Sequence, residues 1–467
     1  MLLKSTLFIC GWALLYLSSV LRAEAFQTEA FQTEVLQAEP GITAKQKYSR
    51  TDLSSISLQS AITKTFEHNP ALRAFSYELK IQDGRQLQAS LPASPEVSIS
   101  IEDTLGSGPF SGIDNAQMTL DIAWVLEGDI RQSHKDVARG GAYLLSTQAK
   151  IKHLDAAAET ARLYVVILAN QARLHNAVQT VALATETVNA VSKRVAAGKT
   201  PSAELARARA ELARYQLAYE SIGYALRPAI HLLAAQWGET QPRFTRVEGD
   251  IFKPPATLPF AMLKTQFERS PDFTRLMSEK RLRQTQLKLA ESQSKPPWRV
   301  NLGIRHSEAG NDQALVAGIA LPFGERSRNT GNIITARESL SQTMAQADAL
   351  KVRFETRLYV LSEELQHSLH RIATYRGDIL PQLEEALKQT RKAYKLGRYS
   401  YFEWRSVQAD LLAARSILLE TSIDAQLKAI EIERLSGVSM KKLAASTTHK
   451  ETHKTARKET DTSSGKN

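Results

Sequence analysis

Apolar positions along this chain follow two periods. Over residues 96–104, Val97, Ile99 and Ile101 alternate with Ser98, Ser100 and Glu102. Over 115–126, Ala116, Met118, Leu120, Ile122 and Trp124 alternate with Gln117, Thr119, Asp121 and Ala123. A period of two marks a strand with one apolar face. Two later runs, 298–306 and 314–323, read the same way, although small residues thin the apolar face of the last to Leu315, Ala317, Ile319, Leu321 and Phe323. The rest follows the helical period. Leu58, Ala61, Ile62, Thr65 and Phe66 share one face of a short helix that Pro70 ends. A second helix runs to about Leu91, where Pro92 and Pro95 stop it. Very long helical stretches cover 130–197 and 326–396, with return helices over 201–237 and 400–436. At about 1.5 Å per residue, 70 residues reach about 100 Å. Helices of that length imply close side-by-side packing.

The same order of elements occurs twice. Residues 62–101 run parallel to 263–302 at an offset of 201: Phe66 matches Phe267, Asn69-Pro70 matches Ser270-Pro271, and Pro95 matches Pro296. Residues 198–212 (GKTPSAELARARAEL) match 397–411 (GRYSYFEWRSVQADL) at an offset of 199. Self-similarity at a fixed spacing is the signature of a duplication. The expected organisation is a first repeat over 57–251, a Pro-rich linker over 252–259 and a second repeat over 260–440.

Composition fits a mainly α chain with a small β part, because Ala, Leu, Glu, Lys, Arg and Gln dominate. Lys4, the apolar run from Leu7 to Val20 and Ala23-Glu24-Ala25 read as a signal peptide over 1–25, followed by an extension over 26–56. The one cysteine, Cys10, falls inside that leader, and Ile9 before it is too large for a lipidation site. No disulfide or lipid anchor is therefore expected after export. The longest later apolar run, LYVVILA (163–169), is far short of the ~20 residues that span a bilayer as a helix. The net charge of +11 owes much to residues 441–467, a basic polar segment expected to be disordered. No basic strand interleaved with aromatics points to nucleic acid. G-x-S-x-G, P-loop and H-E-x-x-H patterns are absent, so no enzyme activity and no cofactor is expected.

The strand runs of nine to twelve residues fit either a small soluble sheet or tilted membrane strands. In lipid every backbone polar group must be paired, and four strands cannot close a barrel. Twelve strands from three chains would, with the long helices continuing the pore.

With NPALRAF (69–75), SPEVSISIEDTLGSG (94–108) and LPFGERSRNTGNI (321–333), the chain resembles the TolC-like outer-membrane efflux proteins. Within them it is most similar to the outer-membrane subunits of cobalt-zinc-cadmium type heavy-metal systems. The resemblance implies a homotrimer in the outer membrane of a Gram-negative bacterium. A 12-stranded barrel would be continued by an α-helical barrel in the periplasm. Its implied partners are outer-membrane lipid, a periplasmic adaptor and an inner-membrane pump of the resistance-nodulation-division type. A drug-efflux or type I protein-secretion duct would share this fold. A periplasmic coiled-coil adaptor or scaffold is the rival from another class, normally with one hairpin rather than two.

Gly198 and Gly397 are placed to end the long helices in a left-handed turn. Thr200 or Ser400 would cap the next helix, with Glu204 or Glu403 in its first turn. That reading needs no function. The resemblance adds one: these tips would form the periplasmic aperture, with Arg398 and Arg405 pairing with Glu403 across neighbouring helices. Tyr401, Phe402 and Trp404 have no aromatic counterparts in the first repeat and would pack between tips or meet the adaptor. His367 and His370, three apart on a long helix, are a weak metal-ligand pair more consistent with a solvated face.

Overall fold

The computed structural model describes residues 55–295, 297–321 and 329–437. The expected leader, most of the N-terminal extension and the basic tail lie outside the described residues.

β1 (Ser55–Ile56) leads into α1 (Leu58–His68) and α2 (Pro70–Ser90). Asn69 serves both helices. Its N–H donates to the Thr65 carbonyl at 2.9 Å, and its side chain accepts from Leu72 N–H at 3.0 Å, with Pro70 opening α2. β2 (Glu96–Glu102) ends two residues before the expected 104, because Asp103 and then Leu105 turn into the left-handed region (φ 57° and 56°). β3 (Gln117–Leu126) returns to α3 (Asp129–Ala196), one unbroken helix of 68 residues. α4 (Ser202–Ala235) runs back, and β4 (Arg246–Val247) pairs in parallel with β1. Gln171 on α3 fastens this small sheet, donating to the Val247 carbonyl at 3.0 Å and accepting from its N–H at 2.8 Å.

Next come α5 (Phe260–Phe267) and α6 (Pro271–Ser292), where Ser270 and Pro271 repeat the Asn69-Pro70 arrangement. β5 (Trp298–Ser307) and β6 (Asp312–Ala320) follow. Then come α7 (Thr330–Thr374), a π-helical turn (Tyr375–Ile379), α8 (Leu380–Lys395) and α9 (Tyr401–Ser436). The long stretch is interrupted here because Pro381 has no N–H to donate. Buried alanines, among them Ala161, Ala169, Ala208, Ala414, Ala425 and Ala429, let the long helices approach closely. No helix among the described residues is long and apolar enough to cross a membrane.

The larger sheet has the order β2-β3-β5-β6, antiparallel throughout. It thus joins the pair β2–β3 to the pair β5–β6 and, among the described residues, leaves β2 and β6 as its edges.

Candidate functional site: the hairpin tips and the strand sheet

The two tips are built alike. At the end of α3, Gly198 (φ 70°) donates to Val195 O at 2.9 Å and Lys199 N–H to Arg194 O at 2.9 Å. At the end of α8, Gly397 (φ 76°) donates to Tyr394 O at 3.0 Å and Arg398 N–H to Ala393 O at 2.9 Å. Both are Schellman turns, which only glycine enters without Cβ strain. The helices that follow start differently. Ser400 and Glu403 form a reciprocal capping box. In the first tip the cap position is Pro201, one residue later than the expected Thr200. Pro201 has neither a hydroxyl nor an N–H, so Glu204 cannot close a box, and its Oε2 is buried without a hydrogen-bond partner.

The aromatics divide. Tyr401 and Trp404 are 3% and 1% exposed and pack with Tyr394, Val191, Ala208 and Leu411 between the two tips. The Tyr394 and Trp404 rings stand 4.9 Å apart. Phe402 points outward at 69% exposure, near in sequence to exposed Tyr399 and Leu396. Of the three residues expected to pack or dock, two therefore form the tip's core and one is exposed.

The charges also divide. Glu403 is engaged by Ser400, whose main-chain N–H holds its carboxyl below the usual carboxylate range. It makes no pair with Arg398 or Arg405. Arg405 instead binds Glu211 on α4, and the Tyr401 hydroxyl reaches the same carboxylate at 3.4 Å. Burial first, then Glu211, pushes the Tyr401 phenol up to about 12. Two residues that sequence matching passed over complete the junction. Arg194 donates to the Tyr394 carbonyl and lies 4.7 Å over its ring. Arg391 and Glu186 form a further ion pair between the hairpins. Buried without hydrogen-bond partners are Trp404 Nε1 and Arg194 Nε, which join Glu204 Oε2 at this junction.

His367 and His370 are both exposed on α7. Among the described residues no group of three His, Cys, Asp or Glu is placed to hold a metal ion.

The sheet has two unlike faces. Its register aligns Val97, Ile122 and Leu302 in one row and Ile99, Leu120, Ile304 and Leu315 in the next. Val97, Ile99, Leu120, Ile304 and Leu315 are 47–75% exposed. The opposite face carries Ser98, Ser100, Thr119, Asp121, Asn301 and Arg305, with Glu96–Arg299 (3.4 Å) and Glu102–Arg305 (3.6 Å) as ion pairs. An apolar outer band over a polar inner face is what a membrane barrel wall requires.

Comparison with known proteins agrees with this geometry. Residues 61–239 match the family model described as outer membrane efflux protein. The cobalt-zinc-cadmium resistance protein CzcC of Cupriavidus metallidurans is 25% identical over 400 residues, covering 86% of this chain and 94% of that relative. Among solved structures, CusC, described in connection with transmembrane channel formation, superposes with a TM-score of 0.69 at 17% identity, covering 83% of this chain and 94% of CusC. The outer membrane protein VceC of Vibrio cholerae gives 0.67 at 17% identity, covering 82% and 96%.

Proposed function

We propose that this chain, whose residues 61–239 match the outer membrane efflux protein model and whose fold is that of the solved CusC and VceC structures, closes as three copies into the exit duct of a tripartite efflux system, carrying heavy-metal cations outward. The observation that carries the assembly is the open sheet. Among the described residues, β2 and β6 each leave a row of unpaired N–H and C=O groups beside an apolar face. Lipid tolerates no such edge. Pairing β6 of one copy with β2 of the next satisfies both, and three copies give 12 strands. The long helices then extend from the barrel into the periplasm and end at the tips. Exposed Phe402, with Tyr399 and Leu396, is the surface offered to a periplasmic adaptor, which an inner-membrane pump would load. The tie of the second tip to the first through Arg405 and Glu211 holds the aperture narrow. The three unpartnered buried polar atoms leave that junction less stable than its apolar packing alone would make it, which suits a gate.

Heavy-metal cargo rests on the likeness to CzcC, which covers most of both chains. Deleting the gene should lower tolerance to cobalt, zinc or cadmium, and the intact gene should restore it. Unchanged metal tolerance with altered drug or protein export would overturn the cargo.

A further inference from the structure

On the polar face of the sheet, charge is arranged row by row. One row, near the turns, holds Glu102 and Gln117, and the next holds Ser100, Thr119 and Arg305. Arg305 donates to Thr119 Oγ1 at 3.0 Å and to Gln117 Oε1 at 3.2 Å, and pairs with Glu102 at 3.6 Å. Its two terminal nitrogens thus reach toward the turns, while Nε stays within its own row. At the other end Glu96 is neutralised by Arg299 at 3.4 Å. Between them lies the row Ser98, Asp121, Gly303 and Val316. Its single charge, Asp121, has no lysine or arginine within ion-pair distance among the described residues.

The row is shaped around that carboxylate. The Ser98 hydroxyl donates to Asp121 Oδ1 at 2.7 Å. Across the strand is Gly303, where a Cβ would come within 2.6 Å of the Asp121 Cβ and 2.6 Å of the Leu120 carbonyl oxygen. Glycine there leaves Asp121 its place on the inner face. Among the described residues, Asp121 is therefore the acid at mid-height of this face without a counter-charge.

We infer that Asp121 sets the ionic preference of the duct: three copies form a ring of carboxylates inside the β-barrel that favours cations over anions. This rests on the trimeric-barrel reading above. Twelve strands about 4.8 Å apart and tilted about 40° give a backbone radius of roughly 12 Å. The Debye length at 0.1 M salt is about 10 Å, so the field of the ring reaches most of the lumen at that level. Rings of acidic side chains select cations in other pores by the same physics. The paired rows on either side contribute little net field.

The test is the reversal potential of the full-length protein in planar bilayers under a tenfold KCl gradient. Wild type should show a cation-favouring potential. Asp121→Asn, nearly isosteric, should move it toward zero, and Asp121→Lys should move it further, toward anion preference. Should the lysine variant fail to assemble, the asparagine variant alone decides. Conducting wild-type and Asp121→Asn channels with the same reversal potential would overturn the role of Asp121. A folded wild-type protein that never conducts would overturn the duct reading itself, and the ring with it.

Discussion

Arg405 at the start of α9 binds the carboxylate of Glu211 on α4, although 194 positions separate them in the chain. The second hairpin is thus fastened to the first within one protomer. Exposed ion pairs contribute about 0.2–1 kcal/mol, and Glu211 at 20% side-chain exposure belongs at the upper end. A double-mutant cycle with Arg405→Ala and Glu211→Ala, read by hydrogen exchange at the tip, should give a coupling of about 1 kcal/mol. Single-channel conductance should rise in either variant. A coupling of zero with unchanged conductance would dismiss the pair as a tie.

Trp404 and Phe402 sit two residues apart and should behave oppositely. Trp404 is 1% exposed, so Trp404→Ala should cost about 3–5 kcal/mol in tip stability. Phe402 is 69% exposed, so Phe402→Ala should change stability by about 0.5 kcal/mol or less. If the outward face docks the adaptor, Phe402→Ala should weaken adaptor capture while the trimer stays intact. Normal capture by that variant would remove Phe402 from the contact.

This division shows where sequence stops being informative. The alternation at Val97, Ile99 and Ile101 and the matched Gly198 and Gly397 are local patterns, and local geometry fixes strands and turns. The mainly α fold with a small β part followed from them. Which aromatic faces inward is not local. It depends on how α8 and α9 sit against α3 and α4. That packing also decides that Arg405 meets Glu211 and that Glu403 turns back to Ser400. Thr200 was misplaced for a simpler reason: matching residues at the offset of 199 pairs Ser400 with Pro201, and Pro201 is where the helix starts. Tyr394 and Arg194 lie before the matched segment, so nothing in it pointed to them.

Tyr401 should titrate late. Its phenol is pushed up to about 12 by burial and by Glu211. The folded tip therefore binds this proton more tightly than the unfolded chain does. Its contribution to stability is complete below pH ~10, the ordinary tyrosine value, and is lost as pH rises through about 12. Absorbance titration at alkaline pH should show a late phenolate component that Tyr401→Phe abolishes. A difference spectrum with no late component missing would refute the assignment.

Glu403 moves the other way. The Ser400 N–H holds its carboxyl low, so the cap it closes is fully formed above the ordinary carboxylate range and is lost as pH falls through the lowered value. Hydrogen exchange over the first turn of α9, corrected for intrinsic rates, should accelerate on acidification. Glu403→Gln should exchange faster already at neutral pH and show less further change. Equal acid sensitivity in the two proteins would argue against the box.

Three glycines with positive φ should rank by what surrounds them. At Gly198 an added Cβ would meet nothing within 4 Å, so Gly198→Ala carries only the left-handed penalty, about 1–2 kcal/mol. At Gly397 the nearest atoms are the Arg194 guanidinium nitrogens at 3.9 Å, an ordinary contact, and the same cost is expected. Gly437 ends α9 at φ 72° against the start of α6, where a Cβ would press within 3.0 Å of Pro271 Cδ. Pro271 is itself fixed between Ser270 and the first turn of α6, and its ring cannot swing aside. Gly437→Ala should therefore be the most destabilising of the three when their thermal unfolding is compared in one detergent. It should act on the packing of α9 against α6 rather than on the aperture. An alanine at Gly437 tolerated as well as one at Gly198 would show that the α9–α6 junction is looser than its geometry implies.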